Sequence, residues 1–330
     1  MYLTARRALV CAALIAIAGC SGGTAGQAPS LVQSNASSSF IHRGVPFIPG
    51  FVHNVVHRET GSSYPTKKSL VFEGDQDEAA VNIYQTAALA SNPAPIATIH
   101  VAQGCPYGLA LDKKGTLYVA DNCFSGDVEE YAKGSTTLKT TITDGISYPL
   151  GLAIDKSGTL YVSCYPPAIV EYANGSTSPT KTITGGGMSD PFGLALDSAG
   201  NLYIADFGAS AVFELPAGGS SVTNLGLANL GEPIGVAYDK KTGYLWETGG
   251  SDDIVNVYDL KTSTSPIETF PGTDFPYAIS IQSKGKPKGE TVISDIEAAT
   301  VYAYKPGQYT SYATLSNGVE LPTGLLIKQP

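Results

Sequence analysis

The side chains of this chain best suited to chemistry are carboxylates. Asp121 and Asp206 each close a short alternating run, Leu117-Tyr-Val-Ala-Asp121 and Leu202-Tyr-Ile-Ala-Asp206, and Asp295 stands at the end of a comparable run further on. Asp190 and Glu232 each stand immediately before a proline, as do Tyr148 and Phe275. Carboxylates converging on one point could hold Ca²⁺, a hard cation that needs several oxygen ligands. The same side chains could instead accept backbone N–H groups of the adjoining turns, as Asx residues commonly do. Capping is the expected role of Asp121 and Asp206, because they recur at one repeat position. Asp190 and Glu232 do not recur and are the better ligand candidates. No cofactor is required by this set; Ca²⁺ is the one that it could accept.

Composition limits what can position these groups. Among 330 residues there are 29 acidic and 20 basic side chains, a net charge of −9, and only 15% charged residues against about 25% in an average soluble protein. That balance argues against a nucleic-acid partner. The 43% hydrophobic content, with 19 Tyr and 10 Phe, is enough to bury a core and argues against disorder. With 37 Gly and 21 Pro, the remaining expectation is a turn-rich all-β fold.

The positioning elements follow from an internal repeat. Pro106-Tyr-Gly-Leu-Ala-Leu-Asp112, Pro149-Leu-Gly-Leu-Ala-Ile-Asp155, Pro191-Phe-Gly-Leu-Ala-Leu-Asp197 and Pro233-Ile-Gly-Val-Ala-Tyr-Asp239 begin 43, 42 and 42 residues apart. Degenerate copies open at Pro276 and Pro322. Each copy leads through a Gly-closed turn to an alternating second strand, then a third and a fourth, the pattern of a propeller blade. Second, third and fourth strands around Leu70, Val81 and Ile96 lack a first strand, while Pro322 to Ile327 is a first strand with no blade after it. The C-terminal strand is therefore expected to complete the first blade and close a six-bladed β-propeller over residues 69–330, removing its free sheet edges.

In such a meander the residue before each inner-strand proline and the end of each second strand share one face. That mouth collects Asp75, whose register is one residue out, with Asp121, Cys164, Asp206, Gly249 and Asp295. It also collects Cys105, Tyr148, Asp190, Glu232, Phe275 and Leu321, with Phe124, Tyr165 and Phe207 as an aromatic rim. The opposite-face Asp112, Asp155, Asp197 and Asp239 precede Gly-closed turns and are expected to cap them. Cys105 and Cys123 fall at the mouth of one blade and form the expected disulfide. A Cys123–Cys164 bridge, or free thiols, are the alternatives.

The N-terminus carries an address. Arg6 and Arg7, the uncharged run Ala8 to Ala18 and Ile17-Ala18-Gly19-Cys20 form a segment too short to span a bilayer and read as a signal peptide over residues 1–19. Its ending resembles the lipobox of bacterial lipoproteins, which implies acylation of Cys20 and a lipid anchor in the cell envelope, at the outer membrane or cell surface. An ordinary secretory signal cleaved near Gly19 is the alternative. Loss of two arginines and no acid takes the net charge from −9 to −11. Residues 20–68 are expected to be a tether whose second half docks on the domain, and His53 and His57, four apart, could share a helix face as in a metal site.

The motif Pro-x-Gly-Leu-Ala-x-Asp-x-x-Gly-x-Leu-Tyr-Val-Ala-Asp resembles the NHL repeat, a six-bladed propeller module. The resemblance covers about residues 69 to 327. It implies a binding module, a sensor domain or an enzyme of the virginiamycin B lyase, peptide-amidating lyase or gluconolactonase kind. The lyases of this group rely on mouth histidines, yet none of His42, His53, His57 and His100 lies in the five downstream blades. A lactonase-like reaction would need a metal-bound acid cluster recruited from Glu73, Asp190, Glu232 and Asp295. Neither a Gly-x-Ser-x-Gly elbow nor a His-Glu-x-x-His run occurs. The expectation is a monomeric, surface-anchored scaffold binding a peptide, glycan or protein partner at its mouth; the alternative is a metal-dependent lactonase or lyase.

Overall fold

Every inner strand opens on a proline, which is tolerated there because the first strand residue need not donate to the ladder. The computed structural model describes residues 63–250, 253–271, 274–282 and 289–328. The signal segment, Cys20, most of the tether, and His53 and His57 lie outside the described residues. Blade 1 contains β1 (Leu70–Asp75), β2 (Ala80–Gln85) and β3 (Ala97–His100), with a 3₁₀ turn at Thr86–Ser91. Blade 2 is β4 (Pro106–Leu111), β5 (Leu117–Asp121), β6 (Asp127–Tyr131) and β7 (Leu138–Ile142). Blade 3 is β8 (Pro149–Ile154), β9 (Leu160–Cys164), β10 (Ala168–Tyr172) and β11 (Lys181–Ile183). Blade 4 is β12 (Pro191–Leu196), β13 (Leu202–Asp206), β14 (Ala211–Leu215) and the short β15 (Thr223–Asn224). Blade 5 is β16 (Pro233–Asp239), β17 (Tyr244–Gly249), β18 (Ile254–Tyr258) and β19 (Glu268–Pro271). Blade 6 is β20 (Pro276–Ile281), β21 (Thr291–Asp295), β22 (Thr300–Tyr304) and β23 (Ser311–Leu315), followed by β24 (Pro322–Lys328).

β24 pairs with β1 from Leu70↔Lys328 to Asp75↔Pro322, so the chain's end supplies the inner strand of blade 1 and completes six four-stranded antiparallel sheets. Polar groups reinforce this closure. Asn92 Oδ1 accepts the N–H groups of Ser316 at 2.8 Å and Asn317 at 3.0 Å, and Lys328 Nζ donates to the Thr66 carbonyl at 2.9 Å. Next to it, Tyr64 packs edge-on against Phe72 at 5.4 Å and donates its N–H to Gly134 O at 2.9 Å. The last residues before β1 thus lie against blades 1 and 2.

Blades stack face to face, so each second strand is buried on both sides; β5, β9 and β13 are buried at every position. That is why Leu-Tyr-Val-Ala runs are apolar on both faces. Tyr84, Tyr172 and Tyr258 are fully buried, and each hydroxyl donates to a backbone carbonyl, at Gly318, Asp144 and Ala228. Such a ring contributes about 2 kcal/mol or more by burial while its polar end stays satisfied. The glycine of each motif marks where neighbouring inner strands touch. A Cβ on Gly108, Gly193 or Gly235 would lie 2.6, 2.6 or 2.5 Å from the carbonyl oxygen of Leu150, Ile234 or Tyr277 on the next blade. Hydroxyls bridge the same seam: Ser163 Oγ accepts the Gly151 N–H at 2.7 Å and donates to Phe192 O at 2.6 Å, and Thr248 does the same with Gly235 at 2.9 Å and Tyr277 at 2.8 Å.

Candidate functional site at the channel mouth

Six second strands end on one face, at Asp75, Asp121, Cys164, Asp206, Gly249 and Asp295. Each of these residues pairs with the proline that opens the inner strand of its own blade. Asp75 holds the same place as the others, opposite Pro322; the one-residue offset counted in the sequence disappears because β1 begins one residue earlier, so that Val71, and not Leu70, holds the place of Leu117.

The four aspartates at this position are directed at backbone. Asp121 Oδ2 accepts the N–H of Gln103 at 2.7 Å and of Gly104 at 3.1 Å, and its Oδ1 accepts Cys105 N–H at 3.0 Å. Asp206 accepts Ser189, Asp190 and Ala209 N–H groups at 2.9, 2.8 and 2.9 Å. Asp295 accepts Asp274 and Ala298 N–H groups, and Asp75 those of Glu78, Glu320 and Leu321. Each carboxylate therefore pins the connection that enters an inner strand, and burial raises the pKa of all four against the N–H bonds that lower it. On the opposite face Asp112, Asp155, Asp197 and Asp239 accept N–H groups of their own turns at 2.7 to 2.9 Å.

The residues before the prolines separate into two kinds. Cys105 is joined to Cys123 by a disulfide, Cα–Cα 5.2 Å, within the range such bridges require. Asp190 is 1% exposed and Phe275 is also buried, its ring against Gly250 of blade 5. Tyr148, Glu232 and Leu321 are half-buried and reach the surface. Tyr148 and Glu232 hold positive φ, 44° and 54°, a conformation that non-glycine residues adopt at a cost. Of the expected aromatic rim, Phe207 is buried on Phe192 with centroids 5.9 Å apart, Tyr165 is half-buried, and Phe124 is 75% exposed at φ 58°. Phe124 sits on the β5–β6 hairpin, next to the disulfide and three residues after Asp121.

Beneath the mouth, aromatic rings from the inner strands gather. Tyr107, Phe192 and Tyr277, each the residue after its proline, are buried and meet with centroids 6.3 and 6.4 Å apart. Below them lies a cavity of about 80 Å³ walled by the motif glycines and aliphatic side chains, with Tyr107, Tyr277 and Thr323 as its polar side chains. Of the histidines, His100 lies among the described residues, at the exposed end of β3. A ligand at this face would rest on the aromatic plug and the rim.

One set of residues escaped the sequence reading. Asp127 and Glu129 on β6 lie with Asp121 so that one oxygen of each falls within 4.8 Å of the others, and all three side chains are buried. The signal was present in Asp127-Val-Glu129 directly after a turn: acids two apart share a strand face.

No protein-family model and no curated protein matches the chain. Solved structures do. The chain is similar to a chain of a nidogen/laminin complex with a TM-score of 0.66 at 18% identity, over 78% of this chain and 98% of that one. It is similar to selenomethionine-substituted virginiamycin B lyase from Staphylococcus aureus with a TM-score of 0.55 at 13% identity, over 75% and 82% of the two chains. A catalytically inactive form of that lyase with quinupristin gives 0.52 at 14% identity, over 79% and 87%. At these identities the likeness extends to the six-bladed propeller fold.

Proposed function

We propose that this propeller is an NHL-type extracytoplasmic binding scaffold, lipid-anchored through Cys20 to the cell envelope and monomeric, which engages a peptide, glycan or protein partner at its mouth. The observation that carries the reading is Phe124. A large apolar ring, 75% exposed, stands on a hairpin fixed by the Cys105–Cys123 disulfide and by the N–H bonds to Asp121. A rigidly presented aromatic side chain is the kind of anchor that dominates binding energy, because little conformational freedom is lost when it enters a partner's pocket. Tyr148 and Glu232 supply polar and aromatic contacts on the same rim. The likeness to a propeller solved in a nidogen/laminin complex supports a protein partner.

The second reading is a metal-dependent lactonase or lyase, favoured by the likeness to virginiamycin B lyase. It would draw on Glu73, Asp190, Glu232 and Asp295. The two readings separate by selection of ligands from a displayed peptide library and a glycan array. Scaffold function predicts a ligand recovered intact whose affinity falls at least about tenfold in Phe124→Ser. Turnover of the captured ligand, unchanged in Phe124→Ser, would replace this reading with the enzymatic one.

A further inference from the structure

Asp121 and Asp127 are direct partners across β5 and β6, and Glu129, two residues along β6, projects from the same face as Asp127. Three carboxylates thus share one face of a hairpin, under the Val101–Gly104 connection that joins blade 1 to blade 2. Its backbone satisfies part of them: Ala102 N–H donates to Glu129 Oε1 at 3.0 Å, and Gln103 and Gly104 N–H groups donate to Asp121 Oδ2. Tyr131 OH donates to Glu129 Oε2, and the Gln103 side-chain amide to Asp127 Oδ2 at 2.5 Å. Asp121 Oδ1 accepts the N–H groups of Cys105 at 3.0 Å and Cys123 at 3.4 Å, and the donors stop there. Asp127, only 6% exposed, has a buried Oδ1 with no hydrogen-bond partner, and the amide oxygen of Gln103 is buried and unpartnered beside it. Among the described residues no Lys or Arg forms an ion pair with any of the three acids.

Three carboxylates this close, with acceptor oxygens left over and no donor to meet them, form an incomplete electrostatic unit. An oxygen-rich, positively uncompensated pocket is what a hard cation completes. Sulfur is not offered: Cys105 and Cys123, also within reach of Asp121, are tied to each other.

We propose that Asp121, Asp127 and Glu129, with the Gln103 amide oxygen, bind one Ca²⁺-class divalent cation at the junction of blades 1 and 2. The site lies off the channel axis, in the wall beside the Phe124 hairpin, and does not depend on partner binding. The cation would fix the inter-blade connection and the hairpin together, as structural Ca²⁺ sites fix loops by drawing ligands from separate segments.

The test is calcium titration of the chelator-treated chain, followed by calorimetry, by thermal unfolding and by Tb³⁺ emission sensitised through Tyr131. The expected result is one Ca²⁺ per chain and a Tm higher by about 5 °C at Ca²⁺ one hundred times its dissociation constant. Asp127→Asn and Glu129→Gln should each weaken Ca²⁺ at least about tenfold. Each should also melt, without Ca²⁺, no lower than the parent, since a repelling charge is removed. Absence of heat, Tm shift and Tb³⁺ emission with the parent chain at millimolar metal would overturn the proposal. So would a Ca²⁺ response undiminished in both variants.

Discussion

A Cβ on Gly151 would lie 2.1 Å from the carbonyl oxygen of Phe192, on the inner strand of the next blade. That separation is far inside any van der Waals contact, and the opposing atom is backbone, which cannot rotate away. The inner strands are thus packed edge to edge around the channel to a distance that only glycine permits. Gly151→Ala should cost about 3 kcal/mol through overpacking, a Tm lower by several degrees. Gly175→Ala is the control: its φ is +76° with nothing within 4 Å, so only the backbone penalty of about 1 kcal/mol applies. Equal losses for the two in denaturant unfolding would contradict the close-approach account.

Closure by β24 gives a second prediction. Without Pro322–Lys328, β1 loses its inner partner, Asp75 loses the Glu320 and Leu321 N–H groups only if the cut falls earlier, and blade 6 faces a gap. A chain ending at Leu321 should lose its cooperative thermal transition and bind apolar dye. A sharp transition within about 2 °C of the parent, less than about 1 kcal/mol, would mean that the ring does not depend on its last strand.

pH supplies a third. Glu73 is fully buried on β1, beside Asp75 and Glu78, and burial first and Asp75 second push its carboxyl well above the usual range; Asp75 itself is pushed up to about 7. Both groups hold a proton more tightly folded than unfolded. Their contribution to stability is therefore full below about pH 4 and falls as pH rises, for Asp75 until pH passes about 7. Glu73→Gln keeps an acceptor for Asn82, which donates to Glu73 Oε2 at 3.3 Å, and cannot ionise. Its Tm should pull ahead of the parent from about pH 5 upward, by a margin that widens with pH. Parallel Tm profiles from pH 4 to 8.5 would show that Glu73 is not the group responsible.

Much of the architecture was legible because the repeat writes it six times. Pro-x-Gly-Leu-Ala marked three inner strands, looser copies at Pro233, Pro276 and Pro322 marked the others, and the surplus strand at Pro322 matched a deficit before Leu70. The site was less legible. Whether an aromatic residue at the mouth is exposed or buried cannot be read from its type: Phe124, three residues past Asp121, is 75% exposed, while Phe207, directly after Asp206, lies on Phe192. Asp127 and Glu129 drew no notice as two acids on a third strand; packing at the junction of blades 1 and 2 buries both, a tertiary effect that no local pattern contains. The plug formed by Tyr107, Phe192 and Tyr277 depends on six strand starts converging, which no single repeat unit can show.

The central claim, binding at the mouth through Phe124, is tested most directly by the affinity of one selected peptide or glycan for the parent chain, for Phe124→Ser and Glu232→Ala, and for Lys114→Ala. Lys114 is exposed in the Asp112–Gly115 turn on the opposite face. The account predicts that the two mouth variants weaken binding at least about tenfold and that Lys114→Ala leaves it within about twofold. Undiminished binding by both mouth variants, or a loss confined to Lys114→Ala, would contradict it.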